Sequence, residues 1–111
     1  MSDKVTPVKE LRDLVNAFVE ERNWRQFHTP KSLSMSVSIE AAELMELFQW
    51  SDPEILGEDQ LARVREELAD VIIYCLAMAN VLEIDITRAL REKVAANGSK
   101  YPVEKYKGRY K

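Results

Sequence analysis

The fold is decided by residues 61–79, which read LARVREELADVIIYCLAMA. Apolar side chains recur there at spacings of three and four residues, from Leu61 through Leu68 and Leu76 to Ala79. That period places them along one side of an α-helix. Because the stripe is wide and strongly apolar, we predict that this helix, the third in the chain, is the central helix of the domain.

The same periodicity, with start and stop signals at its ends, marks two helices before the central one. The first is predicted to begin at Thr6-Pro7, with Thr6 as its N-cap, and to run to about Arg22. The second is predicted to begin at Pro30, directly after a threonine, and to end near Trp50.

A fourth helix follows, and its start and stop signals are equally clear. Asp85 is a suitable N-cap, and Gly98 is predicted to end the helix. A basic tail occupies about residues 103–111. Since no strand-like alternation, internal repeat or long linker is visible, the sequence predicts one all-α domain over residues 1–111, built as a four-helix bundle.

Composition excludes several classes of protein. The chain has 111 residues, 46% of them hydrophobic, and 16 Lys plus Arg against 19 Asp plus Glu. It is too apolar for a disordered protein, and its net charge of −3 does not suit general nucleic-acid binding. No stretch approaches the roughly 18 apolar residues of a membrane span. A small domain also has a thin core, so we predict that copies associate into a dimer or tetramer.

The chain termini and the cysteine indicate the compartment. Residues 1–4 (MSDK) carry no apolar signal region, which predicts a cytoplasmic protein. The single cysteine, Cys75, has apolar neighbours and is predicted to be a buried thiol in a reducing environment.

Two pairs of acids stand within apolar helical segments. Glu40 and Glu43 are spaced i, i+3 in the second helix, and Glu67 and Asp70 have the same spacing in the third. Each pair therefore shares one helix face, where like charges repel. If the two helices pack together, four carboxylates meet, and an all-oxygen cluster suits Mg²⁺, with Mn²⁺ as an alternative.

Other interpretations of these acids remain open at this point. A single pair of this kind usually lines a solvated stripe, and the chain would then be a non-catalytic helical interaction module. A di-iron carboxylate bundle needs Glu-x-x-His on two helices, whereas the one histidine here, His28, lies in a predicted loop.

Aromatic residues flank the acidic segments and suggest a planar ligand. They are Trp24 and Phe27 before the second helix, Trp50 at its end, and Tyr74 one turn beyond Asp70. Each of them singly is more often a core residue than a ligand contact.

Three segments together resemble the MazG-like all-α nucleoside triphosphate pyrophosphohydrolases, and most nearly their dCTP pyrophosphatase branch. They are NWRQFHTP at 23–30, EAAELMELFQW at 40–50 and EELADVIIY at 66–74, followed by Asn97 and Tyr101-Pro102. The resemblance covers roughly residues 8 to 103 and leaves the basic tail outside. It implies Mg²⁺-dependent hydrolysis of dCTP or a modified dCTP to the monophosphate and pyrophosphate, by a homotetramer.

The resemblance also implies roles for individual residues. The implied metal ligands are Glu40, Glu43, Glu67 and Asp70, with Glu40 or Glu43 handling the attacking water. The implied substrate contacts are Trp24, Arg25, Gln26, Phe27, His28, Trp50, Tyr74, Lys93 and Asn97.

Two positions depart from the family pattern. Ile39 stands before Glu40 where the broader family has a further acid, and Val15 stands where the mammalian dCTP enzymes have histidine. A substrate within the same fold other than dCTP, such as phosphoribosyl-ATP or a damaged nucleotide, is the alternative reading.

Overall fold

The computed structural model describes residues 1–109, and within that range it contains helices and turns but no strand. Its helices are α1 (Val8–Glu21), α2 (Pro30–Glu46), α3 (Glu58–Leu82), α4 (Ile86–Lys100) and α5 (Val103–Tyr106), with a 3₁₀ turn over Arg25–Phe27. The all-α prediction is confirmed for these residues. None of these helices is long and apolar enough to cross a membrane. Tyr110 and Lys111, the end of the predicted basic tail, lie outside the described residues.

Two of the predicted helix starts are confirmed by their hydrogen bonds. Thr29 Oγ1 accepts from the Ser32 backbone N–H at 3.1 Å, and Ser32 Oγ accepts from the Thr29 backbone N–H at 3.1 Å. This reciprocal capping box, with Pro30 in the first turn, starts α2. Asp85 Oδ1 accepts from the Arg88 backbone N–H at 3.0 Å and starts α4 in the same manner.

The predicted cap of α1 and stop of α4 were wrong. Pro7 is the N-cap of α1, and Thr6 Oγ1 instead accepts from the Ser2 backbone N–H at 3.0 Å. Gly98 lies inside α4, because a glycine in a helix interior costs only about 1 kcal/mol and does not by itself end the helix. The helix ends at Lys100, since the residue preceding Pro102 is disfavoured in the helical conformation.

The predicted end of α2 was also wrong by four residues. The helix ends at Glu46, and a tightened turn covers residues 47–50. In that turn the Phe48 N–H donates to the Met45 carbonyl at 2.9 Å, an i to i−3 bond of the 3₁₀ type. Trp50 therefore lies beyond α2, in the connection to α3.

A small core holds the first three helices together. Its buried members are Val15 and Val19 of α1, Leu33 of α2, and Leu76 and Ala77 of α3. α1 and α2 each pack on α3, and the core lies toward the amino end of α2 and the carboxyl end of α3. The remaining, polar half of the α2–α3 seam is where the acidic residues lie.

A side-chain clamp joins α1 to the end of α3. Arg12 Nε donates to Asn80 Oδ1 at 3.0 Å, and Asn80 Nδ2 donates back to the Arg12 carbonyl at 3.1 Å. The guanidinium also donates to the carbonyls of Ala79 at 3.1 Å and Ile84 at 2.5 Å. Ala79 lies in the last turn of α3 and Ile84 lies just before α4, so the Arg12 side chain ties α1 to the elbow between these two helices.

The predicted fourth helix is present, but in the single chain it extends away from the other three. Every residue of α4 after Ile86 is exposed, including Leu90 and Val94, each 61% exposed. The radius of gyration is 16.9 Å, against about 13 Å for a compact domain of this length. The described chain is a three-helix core with α4 extending away from it.

The predicted burial of Cys75 was wrong for the single chain. Cys75 is exposed on α3. Large apolar residues of the same helix are exposed beside it, among them Leu68, Ile72 and Ile73. The apolar stripe of α3 is thus wider than α1 and α2 can cover.

Candidate active site

The acidic residues meet along the seam between α2 and α3, which run antiparallel. Carboxylate oxygens of Glu40, Glu67 and Asp70 all lie within 4.8 Å of one another. Seven residues away in each helix, Leu33 and Ala77 both belong to the core. This register explains why two i, i+3 pairs that are distant in sequence face one another in space.

Two carboxylate oxygens of this group are buried from solvent without a hydrogen-bond partner among the described residues. Glu40 Oε2 and Glu67 Oε2 are buried and accept no hydrogen bond from the described residues. A buried carboxylate oxygen that accepts no hydrogen bond destabilises the folded state, and a bound cation would offset this destabilisation. Glu43 differs, because its side chain is exposed and it lies outside the converging trio.

The proximity of the acids changes their acidity. A hydrogen bond with the Glu43 carboxyl group, with burial and the neighbouring negative charges, raises the pKa of Glu40 to about 7. Burial, followed by the charge of Glu43, raises the pKa of Glu67 as well. The site therefore binds a proton near neutral pH when nothing else neutralises it.

These shifts predict how metal-free protein responds to pH. The folded-state pKa of Glu40 is about 7 against its ordinary 4.5, so the stabilising proton is fully present below about pH 4.5. Its contribution to the free energy of unfolding is lost as the pH rises through about 7. We expect Mg²⁺ to restore stability at high pH, because the cation replaces the proton.

The measurement is thermal unfolding in EDTA between about pH 5 and pH 8, with Glu40→Gln as the matched control. Burial lowers the pKa of His28, which makes the folded state gain stability as pH rises through the same range. The difference between wild type and Glu40→Gln isolates the carboxylate. A difference that does not change with pH would contradict the assignment.

The second group of candidate residues forms the 3₁₀ turn before α2. His28 is half-buried, whereas Trp24 and Phe27 are exposed. Trp24 packs edge-on against Phe18 of α1, with ring centroids 5.7 Å apart. Burial, followed by the charge of Arg25, lowers the pKa of His28, so its imidazole is neutral at pH 7 and offers one donor and one acceptor.

Arg25 and Gln26 of the same turn have local partners. Arg25 lies 3.9 Å from Glu20 in an exposed ion pair, and Gln26 Nε2 donates to the Asn23 carbonyl at 2.9 Å. These contacts shape the turn, and any substrate contact by either side chain would have to compete with them.

The structure separates candidates that the sequence placed around one ligand. Tyr74 packs partly buried against the core, one turn from Asp70. Trp50 is 89% exposed and lies beyond the opposite end of α2 from His28, and α2 itself is about 25 Å long at 1.5 Å per residue. Trp50 and His28 of one chain therefore lie at opposite ends of α2, and a shared aromatic pocket stays a prediction.

The two candidates of α4 also stand apart. Lys93 and Asn97 lie on the exposed part of α4, and neither side chain forms a hydrogen bond or ion pair within residues 1–109. No role in the α2–α3 seam of the same chain follows from their position.

One polar residue of the seam was missed from the sequence. Ser36 is half-buried and precedes Glu40 by one helical turn on the same face of α2. The signal was its i, i+4, i+7 relation to Glu40 and Glu43, which the neighbouring serines at alternate positions obscured.

An all-helical fold with a carboxylate group between two antiparallel helices defines the class of this protein. The MazG-like family model matches residues 35–111. The chain belongs to the MazG-like family, which confirms the resemblance carried by its sequence motifs.

Individual relatives agree with this assignment. The chain is similar to dCTP pyrophosphatase 1 of Rattus norvegicus, with 37% identity over 106 residues, covering 91% of this chain and 62% of the rat protein. Its similarity to dCTP pyrophosphatase 1 of Homo sapiens is 36% over 100 residues, covering 86% of this chain and 59% of the human protein. The chain thus spans less than two thirds of the length of these relatives.

A solved structure shows the same fold. The chain matches a pyrophosphatase from Archaeoglobus fulgidus with a TM-score of 0.76 and 41% sequence identity. The match covers 86% of this chain and 92% of that chain.

Proposed function

We propose that the protein is a Mg²⁺-dependent nucleoside triphosphate pyrophosphohydrolase that converts dCTP, or a modified dCTP, to the monophosphate and pyrophosphate. The observation that carries this proposal is the convergence of Glu40, Glu67 and Asp70 with two buried oxygens that have no donor. The relatives named dCTP pyrophosphatase 1 support the substrate.

The residues present fit a hard divalent cation. All donors of the trio are carboxylate oxygens, which Mg²⁺ and Mn²⁺ prefer to nitrogen or sulfur ligands. Glu40, Glu67 and Asp70 would hold the cation, and Glu43 adjoins them. When bound, the cation would supply Lewis-acid polarisation of the phosphoryl oxygens and neutralise the charge of the triphosphate.

The charge balance explains why these acids suit such a substrate. A triphosphate brings about four negative charges toward a carboxylate cluster, so direct approach is repulsive. Glu40 and Glu67 bind protons or a cation in preference to standing fully ionised, as their raised pKa values indicate. Glu43 is exposed, so it is the acid better placed to accept a proton from an attacking water.

We further propose that the enzyme works as a homo-oligomer whose substrate site uses more than one copy. Trp50, Lys93 and Asn97 are candidate substrate contacts that are exposed in the single chain. The uncovered apolar residues of α3 and α4 supply the surface for association. In this proposal a second copy brings these side chains toward the carboxylates.

The direct test is a panel of nucleotides assayed for released pyrophosphate, with and without Mg²⁺. We expect release from dCTP and its 5-substituted forms, smaller rates with purine nucleotides, and none in EDTA. Pyrophosphate release from phosphoribosyl-ATP alone would show that the substrate is not dCTP, although the fold and the type of reaction would stay the same. The absence of release from every nucleotide would favour a non-catalytic helical interaction module.

Replacing two candidate substrate contacts one at a time should distinguish a residue that gives affinity for any nucleotide from a residue that discriminates between bases. Stacking on an aromatic ring is worth roughly 1–3 kcal/mol per base and tolerates any base, so Trp50→Ala should raise KM similarly for every accepted nucleotide. The neutral imidazole of His28 can read a base edge, so His28→Ala should change the kcat/KM ratio between dCTP and its competitors. Steady-state kinetics on both variants test this. A change of that ratio in Trp50→Ala alone would reverse the two roles.

A further inference from the structure

Four serines occupy alternate positions of α2, at 32, 34, 36 and 38. Three of their hydroxyls are engaged with backbone carbonyls. Ser32 Oγ donates to the Phe27 carbonyl at 2.8 Å, Ser34 Oγ to that of Lys31 at 2.7 Å, and Ser38 Oγ to that of Ser34 at 3.1 Å. The Ser36 hydroxyl takes part in none of the hydrogen bonds of residues 1–109, although its residue is half-buried.

The position of Ser36 follows from the helix register. Across the antiparallel seam, Glu40 meets Asp70, and Leu33 and Ala77 share the core. Glu40 also meets Glu67, and Leu33 also shares the core with Leu76, so by these pairings Ser36 lies at the level of residues 71–74 of α3. This level separates the carboxylates from the apolar core.

The position of Ser36 along α2 also indicates which part of the nucleotide would lie beside it. Ser36 precedes Glu40 by one turn, about 6 Å along α2, in the direction of the 3₁₀ turn that carries His28. In the proposed function the phosphates lie at the carboxylates and the base lies toward that turn. The sugar is the part of a nucleotide that joins the two.

We propose that the Ser36 hydroxyl binds the 3′-hydroxyl of the nucleotide sugar. This inference rests on the proposed function, and it adds a specificity-determining residue to that site. The 3′-hydroxyl is the one free hydroxyl of a deoxynucleotide sugar, and a serine hydroxyl can both donate to it and accept from it. The other three serines are unsuited, because their hydroxyls already donate to backbone carbonyls.

The test compares dCTP with 2′,3′-dideoxy-CTP in wild type, Ser36→Ala and Ser38→Ala. A single neutral hydrogen bond corresponds to roughly a fivefold effect, so wild type should prefer dCTP by about that factor in kcat/KM. In Ser36→Ala the ratio should fall to about one. Ser38→Ala is the matched control, because Ser38 is exposed on the same helix, and it should keep the wild-type ratio.

Binding of the product monophosphates gives a second readout that does not depend on turnover. Calorimetry with dCMP and 2′,3′-dideoxy-CMP should show the same preference in wild type and Ser38→Ala, and its loss in Ser36→Ala. Alanine favours helix over serine, so the Ser36→Ala variant should keep its fold, which circular dichroism would check.

The outcomes separate this inference from the proposed function. An active Ser36→Ala enzyme that keeps the wild-type ratio overturns the role of Ser36 and leaves the proposed function standing. Equal kcat/KM values for dCTP and 2′,3′-dideoxy-CTP in an active wild-type enzyme would likewise overturn the role of Ser36 and leave the proposed function standing. A wild-type protein that releases pyrophosphate from no nucleotide overturns both.

Discussion

Replacing Asp70 with asparagine is expected to lower kcat by roughly two to three orders of magnitude while leaving the fold intact. Asp70 supplies one of the three converging carboxylates, and an amide is a much weaker ligand for a hard cation. The measurement is pyrophosphate release from dCTP at saturating Mg²⁺. Glu66→Gln is the matched control, since Glu66 is exposed, lies outside the trio and should keep full activity.

The same substitution carries an expectation about stability. Removing the Asp70 charge relieves repulsion at Glu40 and Glu67, because it contributes to the raised pKa of both. In metal-free buffer Asp70→Asn should therefore be at least as stable as wild type by thermal unfolding, and Mg²⁺ should stabilise it less. Full activity in this variant would remove the carboxylate trio from the mechanism.

Placing charges on the apolar face of α4 should dissociate the protein and abolish most of its activity. Leu90 and Val94 lie one turn apart on that face, and each is 61% exposed in the single chain. Burying a leucine side chain contributes about 1.5–3 kcal/mol, and a symmetric pair of subunits contributes it twice. The change Leu90→Asp should thus weaken association by at least two orders of magnitude.

Sedimentation and kinetics on the same samples would check this expectation. Wild type should sediment as a dimer or tetramer at micromolar concentration, and Leu90→Asp as a monomer with a much lower kcat/KM. Ser99→Asp adds the same charge on the opposite side of α4 and should change neither property. A monomeric Leu90→Asp protein with full activity would show that one chain completes the site.

The local elements could be predicted from the sequence because their signals are local. The 3.6-residue period located α1 to α4, and the capping residues Thr29 and Asp85 fixed two helix starts. Gly98 gave a wrong end for α4, because a glycine destabilises a helix only slightly, whereas the nearby Pro102 disfavours the helical conformation of the residue before it. The end of α2 was misplaced because apolar periodicity continues through a 3₁₀ turn that breaks the helix.

The site was predicted in part for the same reason. Two i, i+3 acid pairs in apolar segments are visible to any reader of the sequence, and the structure brings Glu40, Glu67 and Asp70 together. The relative positions of the aromatic candidates could not be predicted from short-range spacing. Trp50 and His28 are 22 positions apart with α2 between them, and only helix geometry shows that this holds them at opposite ends.

The sequence by itself determined the helices, the acidic pairs and the family, because each depends on residue types at fixed spacings along the chain. The tertiary structure decided which helices meet. α2 and α3 pack antiparallel in a register that joins the carboxylates, raises the pKa of Glu40 and leaves Ser36 unpartnered beside them. It also leaves α4 exposed beyond Ile86, after an elbow that Arg12 ties to α1 through the carbonyls of Ala79 and Ile84.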